Sequence, residues 1–293
     1  MSSPALVESR SLLADYAELT KPRITLMVVF TTLVGFVSAT VGPVSLPALV
    51  AALVGTGLVA AGASALNMLL ERDTDALMRR TRGRPLPAGR VRPAEALAFG
   101  LALSALGFAE LLWRSGPLAA EVALATWASY LFVYTPLKRR TSFSTLVGAV
   151  PGALPPVIGW AAARQSLEGG AFVLFAILFL WQIPHFLAIA WIYRDDYARA
   201  GLPMLPVLDR RGHLTGRQAV VNSLALLLVS FAPVAAGLAG GVYLAGAALL
   251  GLALTGFATN LALSRDQPAA RALFLASVLY LPALCGLLLA ARW

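Results

Sequence analysis

Long apolar runs recur along this chain and constrain its fold more than any other feature. Hydrophobic residues make up 59% of its 293 residues and the mean hydropathy is +0.77, which is too apolar for a soluble globular protein. A helix needs about 20 mostly apolar residues to cross a bilayer. Nine runs approach or exceed that length, at about 24–41, 46–70, 94–113, 117–134, 144–162, 171–193, 219–238, 241–263 and 270–290. The sequence therefore predicts an all-α, polytopic membrane protein.

Basic residues fall almost entirely on one side of this predicted topology. With the N-terminus in the cytoplasm, 20 of the 23 Lys and Arg residues lie in cytoplasmic segments, leaving Arg114, Arg164 and Arg292 on the other side. This asymmetry follows the positive-inside rule. It predicts a multi-pass protein of the cell inner membrane, surrounded by lipid, with residues 1–19 as a cytoplasmic tail. The net charge of +9 then reflects topology, and nucleic acid is not an expected partner.

A polar stretch lies at the mouth of the second apolar run. Asn67, Glu71 and Asp75 follow one another at intervals of four residues, so they share one face of a helix. Seven arginines lie between positions 72 and 92. Carboxylates can hold a divalent cation and guanidinium groups can hold phosphate. The stretch therefore predicts a site for a metal-bound diphosphate.

A second acidic cluster, Asp195 and Asp196, follows the sixth run. Both clusters are predicted on the cytoplasmic side, so a bundle with a cytoplasm-facing cavity could bring them to opposite walls of that cavity. Mg²⁺ usually binds one or two carboxylates together with phosphate oxygens. The carboxylates could come from Glu71 and Asp75 on one wall and from Asp195 and Asp196 on the other. The alternative is that the acids of both clusters, above all Asp73 and Asp195, are solvated charges at helix ends.

A basic patch, residues 134–140, separates the fourth and fifth runs. Lys138 is one of only two lysines in the chain and suits a point charge for a diphosphate leaving group. Tyr134 and Lys138 would face the same way only if the helix continues through Pro136. Arg139 and Arg140 are equally well explained as positive charges that set the topology.

His185 lies inside the sixth run, where an imidazole normally faces a cavity or a polar partner. It could ligate iron, act as a base or hydrogen-bond a neighbouring helix, and the residues alone favour the hydrogen bond. The sequence has no HExxH, CxxC or P-loop pattern. Zinc hydrolysis, thiol redox chemistry and ATP coupling therefore have no support.

Five ordered motifs resemble those of the intramembrane aromatic prenyltransferase (UbiA-type) superfamily and, more narrowly, its protohaem IX farnesyltransferase (haem O synthase) branch. They occupy residues 19–23, 67–87, 134–139, 181–186 and 194–204. The last three apolar runs match the family in hydropathy only. Many members carry Asp where this chain has Glu71, which keeps the carboxylate on a longer arm.

The resemblance implies a reaction and its participants. A single prenyltransferase domain, residues 1–293, would transfer the farnesyl group of farnesyl diphosphate to a vinyl group of haem B. Water would add as well, giving haem O and pyrophosphate in the biosynthesis of haems O and A for terminal oxidases. Mg²⁺ is the implied cofactor. A haem A synthase or a terminal-oxidase assembly factor is an implied protein partner.

The resemblance also assigns roles to individual residues. The implied metal ligands are Glu71, Asp75, Asp195 and Asp196. The implied catalytic residues are Asn67, Glu71, Asp75, Lys138 and Asp196. The implied diphosphate-binding residues are Arg80, Arg84, Lys138 and Arg194. His185 is the implied haem contact, as an axial ligand or beside a propionate.

Two other functions remain open at this stage. The same diphosphate chemistry could serve a quinone precursor or another aromatic acceptor. Alternatively, apolar spans interrupted by Gly and Pro suit a secondary transporter. Transporter sites tend towards the middle of the bilayer, whereas both acidic clusters are predicted at helix mouths on one side. Release of pyrophosphate that depends on Mg²⁺ would separate an enzyme from a transporter.

Overall fold

A computed structural model describes residues 11–291, which form helices and connecting turns without a strand in that range. Within it, nine helices are long and apolar enough to cross a membrane, which confirms the predicted class and number. They are α2 (Pro22–Ala39), α3 (Leu46–Ala76), α4 (Pro93–Ser115), α5 (Pro117–Leu137), α6 (Ser144–Arg164), α7 (Gly169–Ile192), α10 (His213–Ala235), α11 (Gly241–Ser264) and α12 (Gln267–Ala290). Three shorter helices are α1 (Leu12–Leu19), α8 (Arg194–Arg199) and α9 (Leu205–Leu208).

Two boundaries differ from the sequence prediction by a turn or more. Helix α3 continues to Ala76, although its apolar run was predicted to end near residue 70, and α10 starts at His213 instead of near 219. Hydropathy locates the part of a helix inside the hydrocarbon, whereas the backbone hydrogen bonds continue through polar turns at its end. The polar residues after position 70 therefore belong to α3 itself.

Closely approaching glycines hold α3 against α4. A Cβ atom on Gly107 would lie 2.7 Å from the carbonyl oxygen of Gly55, and one on Gly62 would lie 2.6 Å from that of Gly100. The two glycines on each helix are seven residues apart, or about two turns, so both pairs lie along one seam. Such small residues let backbones pack closely in lipid, where the hydrophobic effect gives helices little drive to associate. The position of α3 relative to α4 is therefore fixed.

Helices α7 and α2 each pack against several other spanning helices. Helix α7 contacts α6, α10 and α12, α2 packs on α6, and α10, α11 and α12 contact one another in order. Large apolar side chains remain exposed on the outward faces, including Leu101, Val221, Leu249 and Leu279. Lipid is the surrounding that suits such faces.

The predicted N-terminal tail contains a helix. Residues 12–19 form α1, with Ser11 as its N-cap and with Asp15 and Leu19 buried. Leu19 packs in a small cluster with Ala65 and Met68 of α3. Residues 1–10 of the tail lie outside the described residues. The segment before the first span thus packs against the helix that carries the first acidic motif.

Candidate active site

The C-terminal turns of α3 carry the three polar residues predicted to share a face. Asn67, Glu71 and Asp75 are 1%, 7% and 1% exposed. Burying an unpaired carboxylate is costly, so such groups are expected to have charged or hydrogen-bonding partners. Each of the three is in fact bound by a different segment of the chain.

Glu71 is paired with Lys138, which follows α5. The Lys138 Nζ atom lies 3.0 Å from Glu71 Oε1. The helix does continue through Pro136, because the preceding turn, Ser129–Tyr134, widens into a π-helix and the backbone N–H of Lys138 still donates to the Tyr134 carbonyl. Burial opposes the positive charge of Lys138, but the Glu71 carboxylate, together with Tyr134 and Tyr197, raises the pKa of this ammonium above its usual range. Lys138 is therefore a positively charged partner for the Glu71 carboxylate.

Asp75 is paired with Arg84 from the loop that follows α3. The Arg84 guanidinium donates to Asp75 Oδ2 over 2.6 Å, and the Thr81 hydroxyl donates to the Asp75 backbone carbonyl over 2.9 Å. The loop formed by residues 77–92 therefore folds back onto the end of the helix. This brings the arginine-rich segment to the acidic face.

Asp196, from the second acidic motif, lies beside the same loop. Its Oδ2 atom accepts from the backbone N–H of Arg80 over 3.3 Å, and its other oxygen pairs with Arg199. Met78 packs with Tyr197 in a small apolar cluster that also holds the two segments together. The Arg80 guanidinium lies 5.0 Å from the centre of the Tyr193 ring. The structure therefore brings the two acidic motifs together.

Asp195 and Arg194 differ from the residues above because they lie at the surface. The Asp195 side chain is 87% exposed and its carboxylate is 3.9 Å from the Arg194 guanidinium. Arg194 in turn lies over the Trp191 ring at 5.0 Å. Their roles in binding metal and diphosphate stay predictions.

Lys21 is a polar residue of the site that the assigned roles omitted. Its Nζ atom donates to Asn67 Oδ1 over 2.6 Å, and Asn67 Nδ2 donates to the Thr135 hydroxyl over 2.9 Å. Burial lowers the pKa of the Lys21 ammonium to about 8. Lys21 has a left-handed backbone with φ of 47°, which is unfavourable for a residue other than glycine and is enriched at functional sites. The scarcity of lysine and its place in a recognised motif were the available signals.

The carboxylates suit a metal that arrives with a phosphate ligand. Within residues 11–291, no three His, Cys, Asp or Glu side chains are grouped closely enough to hold an ion by themselves. Mg²⁺ is commonly bound by one or two carboxylates together with substrate phosphates and water. Glu71, Asp75 and Asp196 are buried carboxylates with basic neighbours. This donor set fits a metal diphosphate better than a metal alone.

His185 lies away from the charged residues, between α7 and α12. Its Nδ1 atom is 2.8 Å from the Ser277 hydroxyl, which itself donates to the Phe274 carbonyl over 2.6 Å. Because the hydroxyl has a single proton, Nδ1 must be the donor in the His185–Ser277 bond. The rings of Trp181 and Phe274 lie 4.9 and 5.2 Å from the imidazole. A neutral imidazole that donates through Nδ1 keeps its lone pair on Nε2.

Fold and site together define a polytopic helical membrane protein with a buried cluster of paired acids and bases at one end of its bundle. The chain belongs to the UbiA prenyltransferase family, whose sequence pattern matches residues 28–291.

A named relative agrees with this membership, and solved structures share the fold. A protein of Solibacter usitatus named protoheme IX farnesyltransferase is 50% identical over 287 residues, which cover 95% of this chain and 98% of the relative. A solved structure of digeranylgeranylglyceryl phosphate synthase has a TM-score of 0.80 at 15% identity, covering 96% of this chain and 98% of its own. A UbiA homologue from Archaeoglobus fulgidus, bound to GPP and Mg²⁺, has a TM-score of 0.63 at 18% identity, covering 94% and 99%.

Proposed function

We propose that this protein transfers a farnesyl group from farnesyl diphosphate to a vinyl group of haem B, with addition of water, and so produces haem O and pyrophosphate. The observation that carries the proposal is the acidic face of α3, on which Glu71 and Asp75 are each paired with a base from another segment. The Solibacter usitatus relative bears the name of this activity.

The ion pairs explain how a diphosphate would be bound without leaving a buried charge alone. Glu71 and Asp75 are compensated by Lys138 and Arg84. When a metal diphosphate enters, the carboxylates can turn to the metal and the two bases to the phosphate oxygens. Arg80 and Arg194 lie on the neighbouring segments and would add positive charge. Each buried charge would therefore lie beside an opposite charge both before and after the metal diphosphate binds.

Mg²⁺ is the proposed metal, with Glu71, Asp75 and Asp196 as its protein ligands and Asp195 as a further candidate. When bound, it would neutralise charge on the leaving diphosphate. Support comes from the carboxylate donor set and from the Archaeoglobus fulgidus homologue, which was solved with GPP and Mg²⁺. Asn67 would orient the site instead of binding metal, because its oxygen accepts from Lys21.

The remaining chemistry takes place on carbon. The bond between farnesyl C1 and the diphosphate oxygen breaks, and its electron pair leaves with pyrophosphate. C1 bonds to the terminal carbon of the haem vinyl group, and water adds to the resulting cation with loss of a proton. Lys138 and Arg84 would stabilise the charge that develops on the leaving group. The apolar helix walls would hold the farnesyl tail and exclude other water.

His185 is the proposed haem contact, as an axial ligand through Nε2. Its hydrogen bond supports this role, because Nδ1–H donates to the Ser277 hydroxyl and the Nε2 lone pair stays available. Metal-bound histidines commonly have their other nitrogen fixed in this way. The rings of Trp181 and Phe274 beside it would suit a planar, apolar ligand such as a porphyrin.

The cytoplasmic inner-membrane orientation and any partner for haem transfer are further parts of the proposal. The 20 of 23 basic residues on one side of the topology support a cytoplasmic N-terminus. A reporter fused before Ser11 should be active only in the cytoplasm, and periplasmic activity would contradict this orientation. A haem A synthase or an oxidase assembly factor is the proposed recipient of haem O. Co-purification with the tagged protein would test that partner.

The decisive experiment is mass analysis of haems from membranes that contain this protein and are supplied with haem B, farnesyl diphosphate and Mg²⁺. We expect a more hydrophobic haem that carries one farnesyl group and one added water, and we expect EDTA to abolish it. Unchanged haem B with folded protein would contradict the proposal. Pyrophosphate release with other aromatic acceptors would then identify a different prenyl transfer.

A further inference from the structure

Helix α1 is not one of the membrane-spanning helices, yet it is linked to both ends of the acidic face of α3 through Lys21 and Arg90. At one end, the chain leaves α1 directly into Lys21, whose ammonium binds Asn67 over 2.6 Å. At the other end, Asp15 of α1 is paired with Arg90, in the loop after α3, over 2.9 Å. Leu19, between these contacts, is fully buried against α3. One short helix therefore joins the segments that approach Asn67 and Asp75.

Arg90 links α1 to a residue that contacts the acidic face. Its guanidinium donates to Asp15 through Nε, while Nη1 and Nη2 each donate to the Gly83 carbonyl over 3.1 Å. Gly83 immediately precedes Arg84, which binds Asp75 over 2.6 Å. The peptide that Arg90 holds is thus the one that orients Arg84. A guanidinium suits this task because its planar fork can satisfy a carboxylate and a carbonyl at once.

The burial of Asp15 indicates that this connection is built into the fold. Its side chain is only 4% exposed, whereas that of Arg90 is 25% exposed. A buried carboxylate without its base would be strongly unfavourable, so the Arg90 pair helps to hold α1 in place. Two residues further on, Arg92 pairs with Glu95 within one helical turn and is 82% exposed. Arg92 therefore provides a matched control from the same loop.

We propose that α1 helps to position the diphosphate site and that Arg90 is the positioning residue through which it acts. Arg90 holds the Gly83 carbonyl, so that the Arg84 guanidinium is directed at Asp75. This inference rests on the proposed binding of a prenyl diphosphate at the α3 face. It adds to that function a residue outside the five sequence motifs and a role for the segment before the first span.

The test is binding of farnesyl thiodiphosphate with Mg²⁺ to the full-length protein in detergent, compared among variants of matched stability. We expect Arg90→Gln to weaken binding on the order of tenfold, the scale seen when a supporting contact behind a ligand is lost. The affinity of Arg90→Lys should lie between those of Arg90→Gln and the unmodified protein. An ammonium can keep the pair with Asp15 but not the forked contact to Gly83. Arg92→Gln should bind like the unmodified protein.

Thermal unfolding separates positioning from general loss of stability. Leu254→Ala removes a buried side chain from α11, far along the chain from α1, and serves as a destabilised reference. The inference is supported if Arg90→Gln binds the probe weakly while Leu254→Ala, with a Tm equal to or below that of Arg90→Gln, binds it normally. Equal weakening in both, or normal binding by folded Arg90→Gln, would overturn it. Failure of the unmodified protein to bind the probe would instead contradict the proposed function.

Discussion

The acid–base cluster at the end of α3 and the histidine site between α7 and α12 are built on opposite principles. The cluster neutralises each carboxylate with a base from a different segment, as in the Glu71–Lys138 and Asp75–Arg84 pairs. The histidine site has no charged contact: His185 is held by a serine hydroxyl and by aromatic rings. The first arrangement suits a charged group, and the second suits a flat apolar ligand that offers a coordination position. Two substrates of unlike chemistry can therefore be recognised separately.

The largest effect should come from removing charge at the α3 face. Glu71→Gln and Asp75→Asn each leave a base without its carboxylate and remove a proposed metal ligand, so turnover should fall by roughly 100-fold or more. Haem formation measured by mass analysis checks this, with membrane insertion and detergent extraction as controls. Haem B binding should persist, since His185 is in a separate region. Normal turnover in either variant would contradict the metal assignment.

The next largest effect should come from His185→Ala. Loss of the Nε2 ligand should remove the absorption signature of axially ligated haem, while binding of farnesyl thiodiphosphate stays unchanged. His213 provides a matched control because it is the other of only two histidines in the chain and contacts Arg265 instead of an aromatic site. A haem spectrum that is the same in His185→Ala and His213→Ala would rule out the proposed ligand.

A smaller effect is expected for Ser277→Ala. This change removes the hydroxyl that accepts the hydrogen bond from Nδ1, so the imidazole loses its fixed tautomer and orientation but keeps its Nε2 atom. Loss of such a supporting contact should weaken haem binding on the order of tenfold. Titration of haem B into the purified variant measures it. Ser277→Thr keeps the hydroxyl and should restore most of the affinity, and failure to do so would point to packing instead.

The smallest effect is expected for Asp195→Asn. The carboxylate is largely exposed and its partner is a neighbouring exposed arginine, an arrangement that contributes little energy. Turnover should change by less than about fivefold, whereas Asp196→Asn should behave like the α3 variants. Initial rates at saturating Mg²⁺ compare the two. Equal losses in both variants would support Asp195 as a metal ligand equivalent to Asp196.

The same two regions explain how much could be predicted from the sequence. Nine spanning helices followed from the length of the apolar runs, and the face formed by Asn67, Glu71 and Asp75 followed from helical spacing alone. The His185–Ser277 bond joins residues 92 positions apart, and no local pattern encodes that contact. Lys21 and Arg90 were missed as site residues for a related reason: each lies in a turn or loop, where periodicity gives no direction to a side chain.

Hydropathy also placed the end of α3 too early, because charges at positions 71, 73 and 75 end the apolar run but not the helix. The free-energy cost of burying these charges at the end of a helix is offset by partners such as Lys138 and Arg84. These partners lie in other segments of the chain, which a hydropathy window over α3 does not include. The sequence therefore predicts which acids lie together better than it predicts which bases neutralise them.

The length of α3 has a consequence for how substrates reach the protein. Its 31 residues extend about 46 Å at 1.5 Å per residue, which exceeds the ~30 Å hydrocarbon layer. With its first turns at one edge of that layer, α3 would carry its acidic turns to the lipid headgroups at the other edge. A prenyl diphosphate in the bilayer has its phosphates at the level of the headgroups and its tail in the hydrocarbon layer. It can arrive by diffusing sideways in the plane of the membrane, so its charged head need not enter oil and its tail need not enter water.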